Sequence, residues 1–199
     1  DTLRWQLLLS EVEVFLYVDH PQIARLYGIY ESAERLDFVM ESMQGGALFD
    51  RFKKIGRFPE EEAADVCCQI LLALNYIHHH GIVHRDVKLE NFMYERHGSN
   101  QLKLIDFGFS KMFSPSMKMK KAVGTMLYAA PEVLKKSYTC QCDLWSLGVV
   151  AFVILSDEFP FFGDDVQAAI LDGNYDWRPE RWVGISPDAA DFVRSLLQV

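Results

Sequence analysis

Long apolar runs and an excess of basic residues are both missing from this sequence. No apolar stretch reaches the roughly 18 residues that a membrane-spanning helix needs. The longest, from Leu144 to Leu155, is interrupted by Ser146 and Gly148 and is predicted to form a buried helix. The formal net charge is −8, so the basic surface typical of nucleic-acid-binding domains is lacking. We therefore expect no transmembrane segment and no nucleic-acid partner.

Cysteine is scarce, and its spacing does not match a structural zinc site. The four cysteines form an adjacent pair at 67–68 and a second pair, Cys140 and Cys142, separated by one residue. We interpret them as reduced thiols of a cytoplasmic protein, and we expect no signal peptide. The histidine run 78–80, just before Gly81, is interpreted as a helix end whose imidazoles meet the last carbonyl groups.

Apolar residues are plentiful: they make up 50% of the 199 residues, which suits one packed domain. Apolar residues at helical spacing predict a helix over residues 1–18 that ends before Pro21. The alternating runs 23–31 and 35–41 predict two strands joined by a turn near Ser32 and Glu34.

A second helix is predicted to start at Pro59, because proline is favoured at the first helical position and three glutamates follow it. It is expected to end before Gly81. Its core-facing stripe consists of Ala63, Val66, Cys67, Ile70, Leu71, Leu74 and Ile77.

The most unusual segment is 84-HRDVKLEN-91, a charged cluster between apolar stretches. The short runs 92–95 and 102–106 predict the two strands of a hairpin. The charged cluster precedes the first strand, and 106-DFG-108 follows the second. Both polar segments are therefore expected at the same end of the hairpin, where they would form a site.

The residue types in these segments suit transfer of a phosphoryl group from a nucleotide. That reaction needs a carboxylate near the attacking hydroxyl, a cation near the transferred phosphate and oxygen ligands for magnesium. Asp86 can serve the hydroxyl, and Lys88 can reach the phosphate. Asn91 and Asp106 are hard oxygen donors that suit Mg²⁺. The site is accordingly predicted to bind ATP and Mg²⁺.

Four motifs, in this order, resemble the protein-kinase signature: 84-HRD-x-K-x-x-N-91, 106-DFG-108, 130-APE-132 and 143-DLWSLG-148. Lys88 and the stretch 124-GTMLYAAPE-132 look like those of serine/threonine kinases, which implies protein substrates.

Three further stretches, 19–31, 39–51 and 127–134, resemble the calcium/calmodulin-dependent group. Within it, they are most similar to the calcium-dependent protein kinases of plants and apicomplexan parasites. The resemblance implies an α+β, protein-kinase-like fold. Residues 1–41 would form a partial small lobe, and residues 42–199 a mainly helical large lobe that stops before its last helices.

The resemblance also implies roles for individual residues. Asp86 matches the catalytic base, Lys88 the residue that steadies the transferred phosphate, and Thr125 the hydroxyl that bonds to the catalytic loop and shapes the substrate pocket. Asn91 and Asp106 match the magnesium ligands.

Nucleotide-binding roles follow in the same way. The backbone groups of Glu41 and Met43 match the hinge that bonds to adenine, and Met40 matches the position that gates the pocket behind it. Met93 would lie beneath the adenine, and Glu90 near the nucleotide and the substrate backbone.

Three further matches concern residues that hold the structure together. Glu11 matches the helix glutamate that pairs with a lysine on an earlier strand, and Glu13 is the other candidate for this role. Either glutamate could instead lie on a solvated face of the helix. Asp143 resembles the buried carboxylate that holds the catalytic loop. An apolar column between the lobes is implied for Phe15, Leu26, His84 and Phe107.

Arginine at position 85, next to Asp86, often accompanies control by a phosphate on the activation segment, here residues 106–132. Its hydroxyls are Ser110, Ser114, Ser116 and Thr125. Since 117-MKMKK-121 supplies cations nearby and the family's segment often works unphosphorylated, we hypothesise that no phosphate is required.

Several departures limit the resemblance. No Gly-rich loop or ATP-anchoring lysine precedes Glu11, so these 199 residues alone are expected to bind ATP poorly. They represent either part of a complete kinase or a catalytically inactive kinase-like scaffold, and the intact motifs favour the first. Ala47 replaces an acidic residue of many relatives that prefer arginine in the substrate.

Regulation is implied only by the family. The sequence contains no D-x-[DN]-x-[DN]-G calcium loop, so a calcium-sensing regulatory segment would lie outside these residues. An N-terminal lipid signal that adds membrane association would lie outside them too.

Overall fold

The computed structural model describes residues 2–32, 35–113 and 118–199, which combine helices and short strands as expected of an α+β protein. The helices are α1 (Thr2–Tyr17), α2 (Leu48–Ile55), α3 (Glu60–His79), α4 (Pro131–Leu134), α5 (Cys142–Ser156), α6 (Val166–Asp172) and α7 (Pro187–Leu196). The strands are β1 (Leu26–Glu31), β2 (Leu36–Met40), β3 (Ile82–Val83), β4 (Phe92–Tyr94), β5 (Leu102–Leu104) and β6 (Lys111–Met112). Single 3-10 turns occupy Leu89–Asn91, Met126–Tyr128 and Pro179–Trp182.

The strands form three antiparallel pairs in the described ranges. β1 pairs with β2, and β4 pairs with β5, as the sequence predicts. Glu34, in the predicted first turn, lies outside the described residues. The third pair, β3 with β6, joins segments that are distant in the chain, with Ile82 opposite Met112. No local pattern predicts this pairing.

The core is built around α5. This helix is apolar on all sides and almost every residue in it is buried, as expected of a helix enclosed by other elements. It packs against α3 and α7. The predicted stripe of α3 is buried apart from Leu71, which is half-buried. Pro59 occupies the N-cap position, so α3 begins one residue later than predicted.

In the first helix, α1, buried and exposed side chains alternate sides over the last turn that is described. Phe15 is 3% exposed, whereas its neighbour Leu16 is 68% exposed. After α1, residues 22–24 run beside β5: the N–H of Ala24 donates to the carbonyl of Leu104 at 2.9 Å, and the N–H of Leu104 donates to that of Gln22 at 2.8 Å. These bonds connect α1, β1 and β2 to the rest of the chain. The lobe boundary between residues 41 and 42 stays a prediction.

Across the described ranges, no helix combines the length and apolar character needed to cross a membrane.

Candidate active site

The carboxylate of Asp86 is buried at the centre of a hydrogen-bond network. Its Oδ1 accepts hydrogen bonds from the N–H and the hydroxyl of Thr125, both at 2.9 Å. Its Oδ2 lies 2.7 Å from Nζ of Lys88 and 3.2 Å from Nδ2 of Asn91. Burial raises the pKa of Asp86, but the bonds from Lys88 and Thr125 outweigh it and hold this pKa below its ordinary value. The group is therefore an anion at neutral pH.

Thr125 reaches Asp86 because the residue before it is glycine. Gly124 has a φ of +97°, and a Cβ there would collide with the carbonyl oxygen of Arg85. Only glycine allows the activation segment to approach the catalytic loop this closely. Nζ of Lys88 also donates to Oγ1 of Thr125 at 3.1 Å, so the lysine cation contacts both Asp86 and Thr125.

Asn91 connects Asp86 to the second polar segment. Its Nδ2 donates to the backbone carbonyl of Asp86 at 2.8 Å, which leaves its side-chain oxygen as the atom able to meet a cation. The backbone carbonyl of Asn91 accepts from the N–H of Ile105 at 3.0 Å, and Asp106 is the next residue after Ile105. Oδ1 of Asp106 accepts from the N–H of Gly108 at 2.8 Å. The structure thus brings all three predicted residues to one end of the β4–β5 hairpin.

The oxygen atoms of Asn91 and Asp106 suit a hard divalent cation. Mg²⁺ is usually held by one or two carboxylates together with substrate phosphates and waters. A carboxylate beside an amide oxygen fits that requirement. The described part of the chain contains no cluster of three or more His, Cys, Asp or Glu that could hold a metal by protein groups alone.

The catalytic-loop backbone is held by Asp143, at the start of α5, which is completely buried. Its Oδ1 accepts from the N–H of Arg85 at 2.8 Å, and its Oδ2 from the N–H of His84 at 2.9 Å. Nε2 of His78 lies 2.8 Å from the same Oδ2. Burial raises the pKa of Asp143, but the hydrogen bond from His78 and the other partners outweigh it, so this pKa is lowered.

The interpretation of the histidine run needs a correction. His80 behaves as predicted, because its Nδ1 lies 2.8 Å from the carbonyl oxygen of Tyr76 at the end of α3. For His78 the prediction is wrong, since its imidazole points to Asp143. No local signal in the sequence marks this partner, which lies 65 residues away.

Arg85 has a φ of 69°, in the left-handed region, and its guanidinium contacts the activation segment. Nε donates to the carbonyl of Phe109 at 2.6 Å, and Nη1 donates to the hydroxyl of Tyr138 at 3.4 Å. That hydroxyl donates in turn to the carbonyl of Lys121 at 2.6 Å. Arg85 therefore contacts the start of the segment directly and reaches its middle, at Lys121, through Tyr138. Ser110 is buried, whereas the candidate phosphorylation sites Ser114 and Ser116 lie outside the described residues.

Aromatic contacts connect α1 to the site. The Phe15 and Phe107 ring centroids are 4.9 Å apart, and those of Phe107 and His84 are 5.6 Å apart, both edge to face. Phe38 on β2 extends this column at 6.3 Å from Phe15, a member that the sequence interpretation missed. Leu26 is half-buried on β1.

Of the two candidate glutamates on α1, the structure brings Glu11 to the site. Glu13 is exposed, whereas Glu11 is half-buried and accepts a hydrogen bond from the backbone of Phe107. Burial, followed by repulsion from Asp106, raises the pKa of Glu11 despite that bond. Two carboxylates facing each other make this a place that favours a cation.

Glu41, in the predicted hinge, is fixed at both ends. Its N–H donates to the carbonyl of Arg25 at 2.8 Å, and its carboxylate lies 2.9 Å from Nζ of Lys103. Burial raises the pKa of Glu41, but Lys103 and the Arg25 backbone outweigh it and lower this pKa. The side chain is thus turned away into an ion pair on β5.

The segment after Glu41 runs beside β4. Met93 forms an isolated antiparallel bridge with Ala47, and both Met43 and Met93 are half-buried. Met93 therefore lies next to the segment that follows the predicted hinge. Glu90, one residue before Asn91, is exposed. Its negative charge adds to burial in raising the pKa of Tyr128, in the activation segment.

Comparisons with known proteins agree with this geometry. The protein kinase domain family matches residues 1–199. Myosin light chain kinase A of Dictyostelium discoideum is 38% identical over 197 residues, covering 96% of this chain and 67% of that protein. Calcium-dependent protein kinase 3 of Plasmodium yoelii yoelii is 36% identical over 195 residues, covering 96% and 36%. Calcium-dependent protein kinase 9 of Oryza sativa subsp. japonica is 40% identical over 185 residues, covering 91% and 32%.

The chain thus spans 67% of the first of these relatives and 36% and 32% of the other two. They confirm the similarity to plant and apicomplexan calcium-dependent protein kinases that the motifs indicate.

Proposed function

Because the chain belongs to the protein kinase family, we propose that it transfers the γ-phosphate of ATP to serine or threonine hydroxyls of proteins. The observation that carries this proposal is the carboxylate of Asp86, buried yet ionised, with its two oxygens held by Thr125 and Lys88. A carboxylate fixed in this way can orient a hydroxyl and receive its proton.

In the proposed reaction, Lys88 places a positive charge beside the transferred phosphate, and Thr125 keeps Asp86 aimed at the substrate hydroxyl. Asn91 and Asp106 would hold Mg²⁺, which neutralises charge on the phosphate oxygens when it is bound. These residues need only small movements, since hydrogen bonds already connect Asp86 to Asn91 and to Thr125.

For the nucleotide, we assign the backbone groups of Glu41 and Met43 to adenine recognition, with Met93 beneath the ring. Glu90 would lie at the edge shared by nucleotide and substrate. Glu11 would attract the cation of an ATP-anchoring lysine, because it opposes Asp106 and its pKa is raised there.

Two regulatory assignments belong to the proposal. The names of the relatives support control by calcium through a segment outside these residues. The contacts of Arg85 with the backbone of Phe109 and the hydroxyl of Tyr138 support activity without a phosphate on Ser114 or Ser116, because this arginine already has partners. Mass spectrometry of active protein that finds an obligatory phosphate there would overturn the second assignment.

The test is phosphotransfer from radiolabelled Mg·ATP to a serine peptide by the full-length protein that contains these residues, with its Mg·ATP affinity measured separately by calorimetry. Asp86→Asn should abolish transfer while leaving affinity within about twofold, because it removes the proton acceptor but not the metal ligands. Asp106→Asn should weaken the Mg²⁺-dependent part of the affinity. Equal transfer rates in the parent and Asp86→Asn proteins would instead favour the inactive scaffold.

A further inference from the structure

A cluster of exposed lysines lies beside the proposed reaction centre. Its members, called the lysine patch below, are Lys118, Lys120, Lys121, Lys135 and Lys136. They are five of the ten lysines in a chain whose net charge is −8. The patch is therefore a positively charged surface on a chain whose overall charge is negative.

Two backbone hydrogen bonds assemble the patch from separate segments. The N–H of Met119 donates to the carbonyl of Tyr138 at 2.9 Å, and the N–H of Tyr138 donates back at 3.2 Å. Met119 is buried, so its neighbours Lys118 and Lys120, on the alternate face of the extended chain, point to solvent. Between the segments lies an open hollow of about 480 Å³, lined by Lys120, Lys121, Ala122 and Lys136.

The charges of the patch are not neutralised within the described ranges. None of the five lysines takes part in an ion pair there, whereas Lys53, Lys88 and Lys103 each have a carboxylate partner. Lys136 even adopts a φ of 55°, a conformation unfavourable for a residue with a side chain. Neighbouring like charges repel, and an anionic ligand would relieve that repulsion.

The patch is within reach of a substrate held at Asp86. Lys121 and Thr125 are four positions apart, so their Cα atoms lie within about 14 Å at a maximum span of ~3.6 Å per residue. Thr125 in turn donates to Asp86 at 2.9 Å. An extended peptide advances about 3.3 Å per residue, so side chains up to about five positions from the reacting hydroxyl can meet the patch.

We propose that the lysine patch is a substrate-specificity site that binds Asp and Glu side chains close to the phosphoacceptor residue. The inference rests on the proposed phosphotransfer function and names the substrate class: acidic protein segments. It agrees with Ala47, which removes an acidic group that would attract a basic substrate.

The test uses fluorescence anisotropy of the unphosphorylated chain, without nucleotide, and serine peptides that differ only in their flanks. In two acidic peptides, three glutamates lie on the N-terminal side or on the C-terminal side of the serine. In the reference peptides, glutamine or arginine replaces these glutamates. At about 50 mM salt, one of the two acidic peptides should bind about tenfold more tightly than the glutamine peptide with the same flank. The advantage should shrink at about 300 mM salt, because ions screen exposed charges.

The paired substitutions Lys120→Gln and Lys121→Gln should reduce acidic-peptide affinity to the glutamine-peptide level. The control pair Lys53→Gln and Lys54→Gln, on exposed positions of α2, changes the net charge equally and should leave that affinity unaltered. Unchanged melting temperatures would show that both variants are folded.

The inference is overturned if the patch variant binds acidic peptides as tightly as the parent, or if the arginine peptide binds best. It is also overturned if the substitutions weaken only the binding of phosphatidylserine vesicles, which would identify a membrane surface. A chain that phosphorylates acidic and glutamine peptides equally well retains the proposed function but loses this inference.

Discussion

Nε2 of His78, near the end of α3, lies 2.8 Å from Oδ2 of Asp143, at the start of α5. The same carboxylate receives the backbone N–H groups of His84 and Arg85. A buried anion with three donors is strongly stabilised, and removal of its partners leaves an uncompensated charge. The geometry of the catalytic loop therefore depends on a contact between two helices, α3 and α5.

Replacement of Asp143 by Asn should lower the free energy of unfolding by about 3 kcal/mol at pH 7, because an amide cannot accept all the bonds that reach the carboxylate. The lowered pKa of Asp143 means that its stabilisation is present above the ordinary aspartate pKa of about 4 and is lost as the pH falls through the folded value. Urea unfolding at pH 7, 5 and 3 should show the difference between parent and variant shrinking in acid. A constant difference would contradict the assignment.

His78→Leu should cost about 1–2 kcal/mol, since it removes one donor from a buried carboxylate. His79 is the matched control, because it is a neighbouring histidine whose side chain is exposed. His79→Leu should change the unfolding free energy by less than about 0.5 kcal/mol. Equal losses in both variants would show that the contact with Asp143 contributes nothing.

Gly124→Ala should disrupt the approach of Thr125 to Asp86. The control is Gly163→Ala: Gly163 has a φ of +105° and no atom within 4 Å of an added Cβ. Both variants incur about 1–2 kcal/mol for the left-handed backbone, but only the first also displaces the Arg85 carbonyl. Thermal denaturation should show the larger loss for Gly124→Ala, and phosphotransfer should fall at least tenfold in that variant alone. Equal melting temperatures and rates would refute the steric argument.

Phe15→Ala should destabilise the chain by about 3–4 kcal/mol, because it empties a buried position beside Phe107. Leu16→Ala, at the adjacent exposed position, should cost less than about 0.5 kcal/mol. Chemical denaturation of the two variants distinguishes the buried side of α1 from its exposed side. Similar values would mean that the aromatic column does not attach α1 to the site.

Much of the local structure could be predicted. Periodic apolar residues marked α1 and α3, and an apolar run marked α5. Alternation marked the β1–β2 pair, and short runs bounded by polar residues marked the β4–β5 pair. These signals are local, because the helical and strand repeats appear within a few residues of each other. The order of the HRD, DFG and APE motifs was likewise sufficient to indicate the family.

Other features could not be predicted, because they depend on residues far apart in the chain. The β3–β6 pair, the contact of His78 with Asp143 and the added ring of Phe38 all arise from long-range packing. The position of Glu11 against Asp106, and the exposure of Glu13, depend on how α1 rotates onto the site. Helical periodicity alone leaves that rotation open.

The sequence by itself determined which chemistry is available: the carboxylates, lysine and amide of one charged segment, and the elements on either side of it. Tertiary structure decided which of these groups share an environment. Asp86 is buried and still ionised because Thr125, 39 residues away, and Lys88 both donate to it. Charge state depends on neighbours in space, and folding alone supplies them.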